Sequence, residues 1–91
     1  MNIKELEEIL NKRCEEDSPA IILYNDDVNT FDHVINCLVQ FVDHSSIQAE
    51  QCALLVHNKG KCSIKKGDIS DLIPIKSKLL MHKLNVEIEY G

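Results

Sequence analysis

Glycine is scarce in this chain, at three of 91 residues, and none of the three sits in a GxGxxG or GxxxxGK string. That excludes the glycine-rich loops that wrap phosphates in nucleotide-binding proteins. Long apolar runs are missing too, because charged residues recur every few positions. No stretch approaches the roughly twenty residues a membrane helix needs. Residues 1–18 are charged throughout and lack the apolar core of a secretion signal. The four cysteines, Cys14, Cys37, Cys52 and Cys62, are therefore expected to be reduced thiols in a cytoplasmic protein. No CxxC or HxxxH pair accompanies them, so no metal site is expected. Cys37 and Cys52 fall in apolar helical stretches, where a thiol behaves as a small hydrophobe. A nucleophilic Cys–His site has no support either, since neither an oxyanion loop nor room for a sizeable cleft goes with it.

Basic residues are absent from one long stretch. Residues 19–57 contain Asp26, Asp27, Asp32, Asp43 and Glu50 but no Lys or Arg, a charge of −5 that equals the net charge of the whole chain. Residues 58–83 balance the rest, with seven lysines against Asp68 and Asp71. A chain divided into an acidic part and a basic part lacks the coherent basic surface of a nucleic-acid binder. Something cationic is expected to meet residues 19–57. A merely solvated acidic face is the plain alternative.

At 44% hydrophobic residues the chain is too apolar to be a disordered tail, and its length suits one small domain. Residues 1–18 carry Ile3, Leu6, Ile9 and Leu10 at helical spacing and read as an amino-terminal arm or marginal helix, bounded by Pro19. Ala20 to Tyr24 read as a buried strand. Asn29 or Thr30 is expected to cap a helix to about Val42, with Phe31, Val34, Ile35, Leu38 and Phe41 on its apolar face. Ser45 or Ser46 opens a second helix to about Asn58. Its Cys52–Val56 stretch is apolar all round, so cover on more than one side is expected. Gly60 suits the left-handed position after that helix. Residues 61–66 alternate as a strand with Cys62 and Ile64 inward. A third helix runs from Asp68 or Ser70 to about Lys83, with Pro74 near its first turn. Leu84, Val86 and Ile88 alternate in a final strand. The order β-α-α-β-α-β implies an α+β two-layer sandwich over residues 19–91, a three-stranded antiparallel sheet packed on three helices.

The strongest local feature is Asn25-Asp26-Asp27 at the end of the first strand. Adjacent carboxylates repel and do not build a core. They serve a turn, cap the next helix, or receive an amine. Phe31 and Val34 lie one helical turn further on. His57 closes the second helix, where a lone His more often satisfies the helix dipole than forms a site.

At these residues the chain resembles the ClpS family, adaptors of the ATP-dependent Clp protease. The strings that carry the resemblance are LYNDD (23–27), then Asn29-Thr30-Phe31 and Val34, then AEQCALLVHNKGKC (49–62). It is strong over residues 20–62 and rests on element order beyond them. The resemblance implies a non-catalytic receptor, needing no cofactor, for amino-terminal degrons: substrates with a free α-amine and a large hydrophobic first residue. It implies delivery to a Clp ATPase unfoldase of the ClpA or ClpC type by a monomer, away from nucleic acid and membrane. By matching position, Asn25 and Asp26 would receive the α-amine, and His57 the amine or first peptide group. Phe31, Val34, Ala53, Val56 and Leu84 would line the side-chain pocket. Ala53 stands where the family commonly has Met, which implies a wider pocket. The segment between Gly60 and the last strand is shorter than the family's, so its Clp-docking contacts do not transfer. A protein-interaction module of the same fold, serving another assembly, is the alternative; the carboxy-terminal domain of the ribosomal stalk protein is similar in architecture.

Overall fold

The computed structural model describes residues 18–90. The arm expected over residues 1–18 falls, apart from Ser18, outside them, as does Cys14. The described chain runs β1 (Pro19–Tyr24), α1 (Phe31–Val42), α2 (Ser46–Lys59), β2 (Lys61–Lys66), α3 (Ile69–Met81) and β3 (Val86–Tyr90). This is the expected order. The sheet is antiparallel throughout, with β1 in the centre between β2 and β3. One irregularity interrupts it. Ile21 pairs with Lys65 and Ile22 with Ser63, so β2 carries Ile64 as an extra residue at the bulge.

The inward faces follow from periodicity. Ile21 and Leu23 of β1, Ile64 of β2 and Val86 of β3 meet Leu38, Val42, Val56, Leu72 and Leu79 of the helices in a single core. Of these, Ile21, Leu38, Leu72 and Leu79 are fully shielded from solvent. Thr30 caps α1, its hydroxyl accepting the His33 N–H at 3.1 Å. Ser45 caps α2 in a reciprocal box with Gln48, at 3.2 and 3.0 Å. Gly60 ends α2 at φ 91°.

Three expectations need correction. The first is that α2 is not covered on more than one side: Leu54 and Leu55 are nearly half exposed, and Ile47 more so. The inward positions of α2 are Ala49, Cys52, Ala53 and Val56. Small side chains bring the helix close to its neighbours and leave the leucines outside. Second, Pro74 is the sixth residue of α3, which begins at Ile69, and so lies beyond the first turn. The bond its missing N–H would have made to Ser70 is absent, and Pro74 is exposed to water there. Third, Leu84 precedes β3. The helix stops at Met81, Lys83 takes a left-handed φ of 67°, and Leu84 drops into the core before the strand starts.

Candidate functional site

Strand β1 ends between two neighbours. The Tyr24 N–H donates to the Asn85 carbonyl at 2.8 Å, and the Asn25 N–H to the Gly60 carbonyl at 2.9 Å. The strand end is thereby tied on one side to the approach to β3 and on the other to the end of α2. Both cores of the site, acidic and apolar, hang on this junction.

The Asn25-Asp26-Asp27 string turns the chain from β1 into α1. Asp26 organises that turn: one carboxylate oxygen, Oδ1, accepts the Val28 N–H at 3.0 Å and the Asn29 N–H at 2.9 Å. The other, Oδ2, accepts the Asn29 side-chain amide at 2.8 Å. Burial pushes the Asp26 carboxyl up, but the bonds from Asn29 and Val28 together outweigh it and hold the group below the ordinary 3.8. Asp26 therefore stays ionised at neutral pH. The plain reading of the string, a turn with capping, is thus realised. It leaves one acceptor position open, since an ionised carboxylate offers about four lone-pair sites and three bonds are made.

Asn29 is the residue that sequence reasoning missed. Its amide donates both to Asp26 Oδ2 and to the Lys83 carbonyl at 2.8 Å, 54 residues away. It joins the start of α1 to the turn between α3 and β3. The available signal is the Asp26-x-x-Asn29 spacing; from sequence, Asn29 stands as a capping choice and within the resemblance, without a role at the site.

Next to this turn lies a cavity of about 300 Å³, lined in part by Asn25, Asp26, Phe31, Val34, Ala53, Val56, His57 and Leu84. All eight residues expected at a site are therefore brought around one space. Leu23, Tyr24, Asp27, Asn29 and Thr30 complete the lining. The apolar wall is buried at Ala53, Val56 and Leu84 and half-buried at Val34. Phe31 stands at the rim, 40% exposed, with its ring edge-on to the His57 imidazole, centroids 6.2 Å apart. Among the described residues, Asp26 and Asp27 are the only carboxylates in the lining, and no Lys or Arg joins them. The volume is at the small end of ligand pockets, which span about 300–1,000 Å³. Such a space is large enough for one large side chain. Among the described residues, no group of three or more His, Cys, Asp or Glu is placed to hold a metal. No described helix is long and apolar enough to cross a membrane.

Comparison with known proteins agrees with this geometry. The family model described as ATP-dependent Clp protease adaptor protein ClpS matches residues 15–87. Among solved structures, the chain is similar to Agrobacterium tumefaciens ClpS2 bound to L-phenylalaninamide, with a TM-score of 0.76 at 16% identity. The match covers 84% of this chain and 99% of that one. At that identity the likeness shows the fold. No curated protein matches the chain.

Proposed function

The chain belongs to the ClpS family of ATP-dependent Clp protease adaptor proteins, and we propose that its cavity binds amino-terminal degrons for delivery to a Clp ATPase. The observation that carries this reading is a cavity of about 300 Å³ whose lining joins apolar side chains to two carboxylates and, among the described residues, holds no Lys or Arg. A substrate's α-amine has a pKa near 8 and is mostly protonated at pH 7. The open acceptor position on Asp26 and the Asn25 carboxamide suit that ammonium group, and His57 suits the amine or the first peptide group. A Leu or Phe side chain would then enter between Phe31, Val34, Ala53, Val56 and Leu84. The phenylalanine amide bound by the Agrobacterium protein has these same two parts, a free amine and a large apolar side chain.

Magnitudes decide that both parts are needed. Burying the side chain contributes about 1.5–3 kcal/mol, and a charge-assisted hydrogen bond about 1.5–3. An internal Leu lacks the amine, and an amino-terminal Lys would put a second charge against apolar walls. No bond in the substrate changes. The partner is a Clp unfoldase of the ClpA or ClpC type, met in the cytoplasm by a monomer.

The test compares a peptide beginning with Phe or Leu with its N-acetylated form. Acetylation should weaken binding by about ten- to a hundredfold. Equal binding of the two forms refutes the reading. Acetylation of the peptide is a cleaner perturbation than Asp26→Ala, because Asp26 also holds the turn. In the full system, deleting residues 1–18 should spare peptide binding and impair Clp-dependent degradation of a Phe-initiated substrate.

A further inference from the structure

Asn29, His33, Cys37 and Phe41 follow one another at intervals of four along one side of α1 and the turn before it. That side meets the turn between α3 and β3. The Asn29 amide donates to the Lys83 carbonyl at 2.8 Å, and His33 Nε2 lies 2.8 Å from the carbonyl of His82, one residue earlier. A carbonyl can only accept, so this ring nitrogen carries a proton and donates it. Further along α1, the Phe41 ring lies against the His82 ring with centroids 4.6 Å apart, and the Cys37 sulfur is 3.8 Å from His33 Nε2. The backbone held in this way is strained, because Lys83 takes a left-handed φ of 67°. A residue with a side chain keeps that conformation only where its surroundings fix it. Leu84 follows at once, buried and lining the cavity, and then the Asn85 carbonyl accepts the Tyr24 N–H at 2.8 Å. His33 and His82 themselves stand outside the lining.

We propose that His33 is a positioning residue that sets the seat of Leu84, and with it the fit of a large first side chain, a role that rests on the degron reading above. The His33 and Asn29 bonds hold two successive peptide planes, one on each side of Lys83. With both planes held, the φ and ψ of Lys83 are fixed, and so is the direction in which Leu84 leaves the turn. Without the His33 bond the first plane is free to rotate. Leu84 then occupies its seat for only part of the time, and affinity falls by that fraction. The amine side is spared, because Asn25 is held by the Gly60 carbonyl and Asp26 by the Val28 and Asn29 N–H groups. His33 therefore acts on the apolar half of recognition from outside the cavity.

The experiment compares two variants of the full chain: His33→Leu, which keeps bulk but has no donor, and His33→Gln, whose amide N–H reaches about as far as Nε2. Affinity for a Phe- or Leu-initiated peptide should fall about two- to tenfold in His33→Leu, as expected for one neutral hydrogen bond, and return in His33→Gln. The penalty for N-acetylation of the peptide should be the same in all three proteins. Amide hydrogen exchange is followed without peptide at Lys83 and Leu84, whose N–H groups donate to the Leu80 and Leu79 carbonyls at 2.9 and 3.1 Å. It should quicken there in His33→Leu, ahead of the core amides, and slow again in His33→Gln. Native affinity in His33→Leu, no rescue by His33→Gln, or exchange that quickens evenly over the whole core would overturn the proposal. Failure of the degron reading looks different: the native chain would then bind free and acetylated peptides equally, whatever the turn amides do.

Discussion

Replacing Asn29 probes the link between the acidic turn and the far side of the cavity. Asn29→Ala removes two bonds of 2.8 Å, one to the Asp26 carboxylate and one to the Lys83 carbonyl. A bond to a charged group is worth about 1.5–3 kcal/mol and a neutral one about 0.5–1.5. Both lie where water can enter, so the lower part of the range applies and the loss should be about 2–3 kcal/mol. Asn29→Asp keeps the shape but sets a second carboxylate against Asp26 and against the Lys83 carbonyl. At about 4 Å, two like charges repel by about 1 kcal/mol in water and more near a protein surface. This variant should therefore be less stable than Asn29→Ala at pH 7, by about 1–2 kcal/mol. In the native chain, the lowered Asp26 pKa contributes stability that is present above the unfolded value and lost as pH falls through the folded one. In Asn29→Asp the crowded pair has a raised folded pKa, so acidification relieves its penalty and the slope changes sign. Urea unfolding followed by far-UV circular dichroism at pH 7 and near pH 4 suits a chain without tryptophan. Equal stability of the two variants at pH 7, or both lying within about 0.5 kcal/mol of the native chain, would refute the coupling.

Other positions test other parts of the molecule. Peptide affinity should be level between about pH 5 and 7, falling above as the substrate amine deprotonates near 8 and below as Asp26 protonates beneath 3.8; fluorescence anisotropy across pH would show it, and affinity still rising at pH 9 would contradict it. Peptides beginning with Ile or Val should bind only a few-fold less tightly than those beginning with Leu, and Ala53→Met should widen that gap to about tenfold or more. Titration of the three peptides against both proteins decides this. Leu72→Ala, at a fully buried site, should cost about 2–5 kcal/mol in chemical denaturation. Gly60→Ala meets nothing within 4 Å, so its loss should be the backbone cost of a positive φ alone, about 1–2 kcal/mol.

What the sequence revealed and what it hid have physical causes. Ile21, Leu23, Leu38 and Ile64 alternate or recur at helical spacing because one face of each element is buried, and that pattern can be read directly. The eight residues expected at a site have a different origin: their string and spacing resemble a known family, and the fold gathers them around one cavity. Leu54 and Leu55 misled, because hydrophobicity alone does not say which side of a helix is covered. Small residues at Ala49 and Ala53 decided that. Asn29 was hidden because a short polar side chain at a helix start is equally suited to capping. Its partner, the Lys83 carbonyl, is far off in sequence and belongs to the backbone, which carries no residue signature.

The two backbone bonds at the end of β1 bear on the timing of recognition. With Tyr24 held to Asn85 and Asn25 to Gly60, the end of β1 beside the cavity is fixed by the protein's own backbone. On the proposed degron-binding reading, a site fixed in this way should capture its ligands in one kinetic phase, at rates that hardly distinguish one first residue from another. Discrimination would then lie in dwell time: a well-fitting side chain stays, and a poorly fitting one leaves sooner.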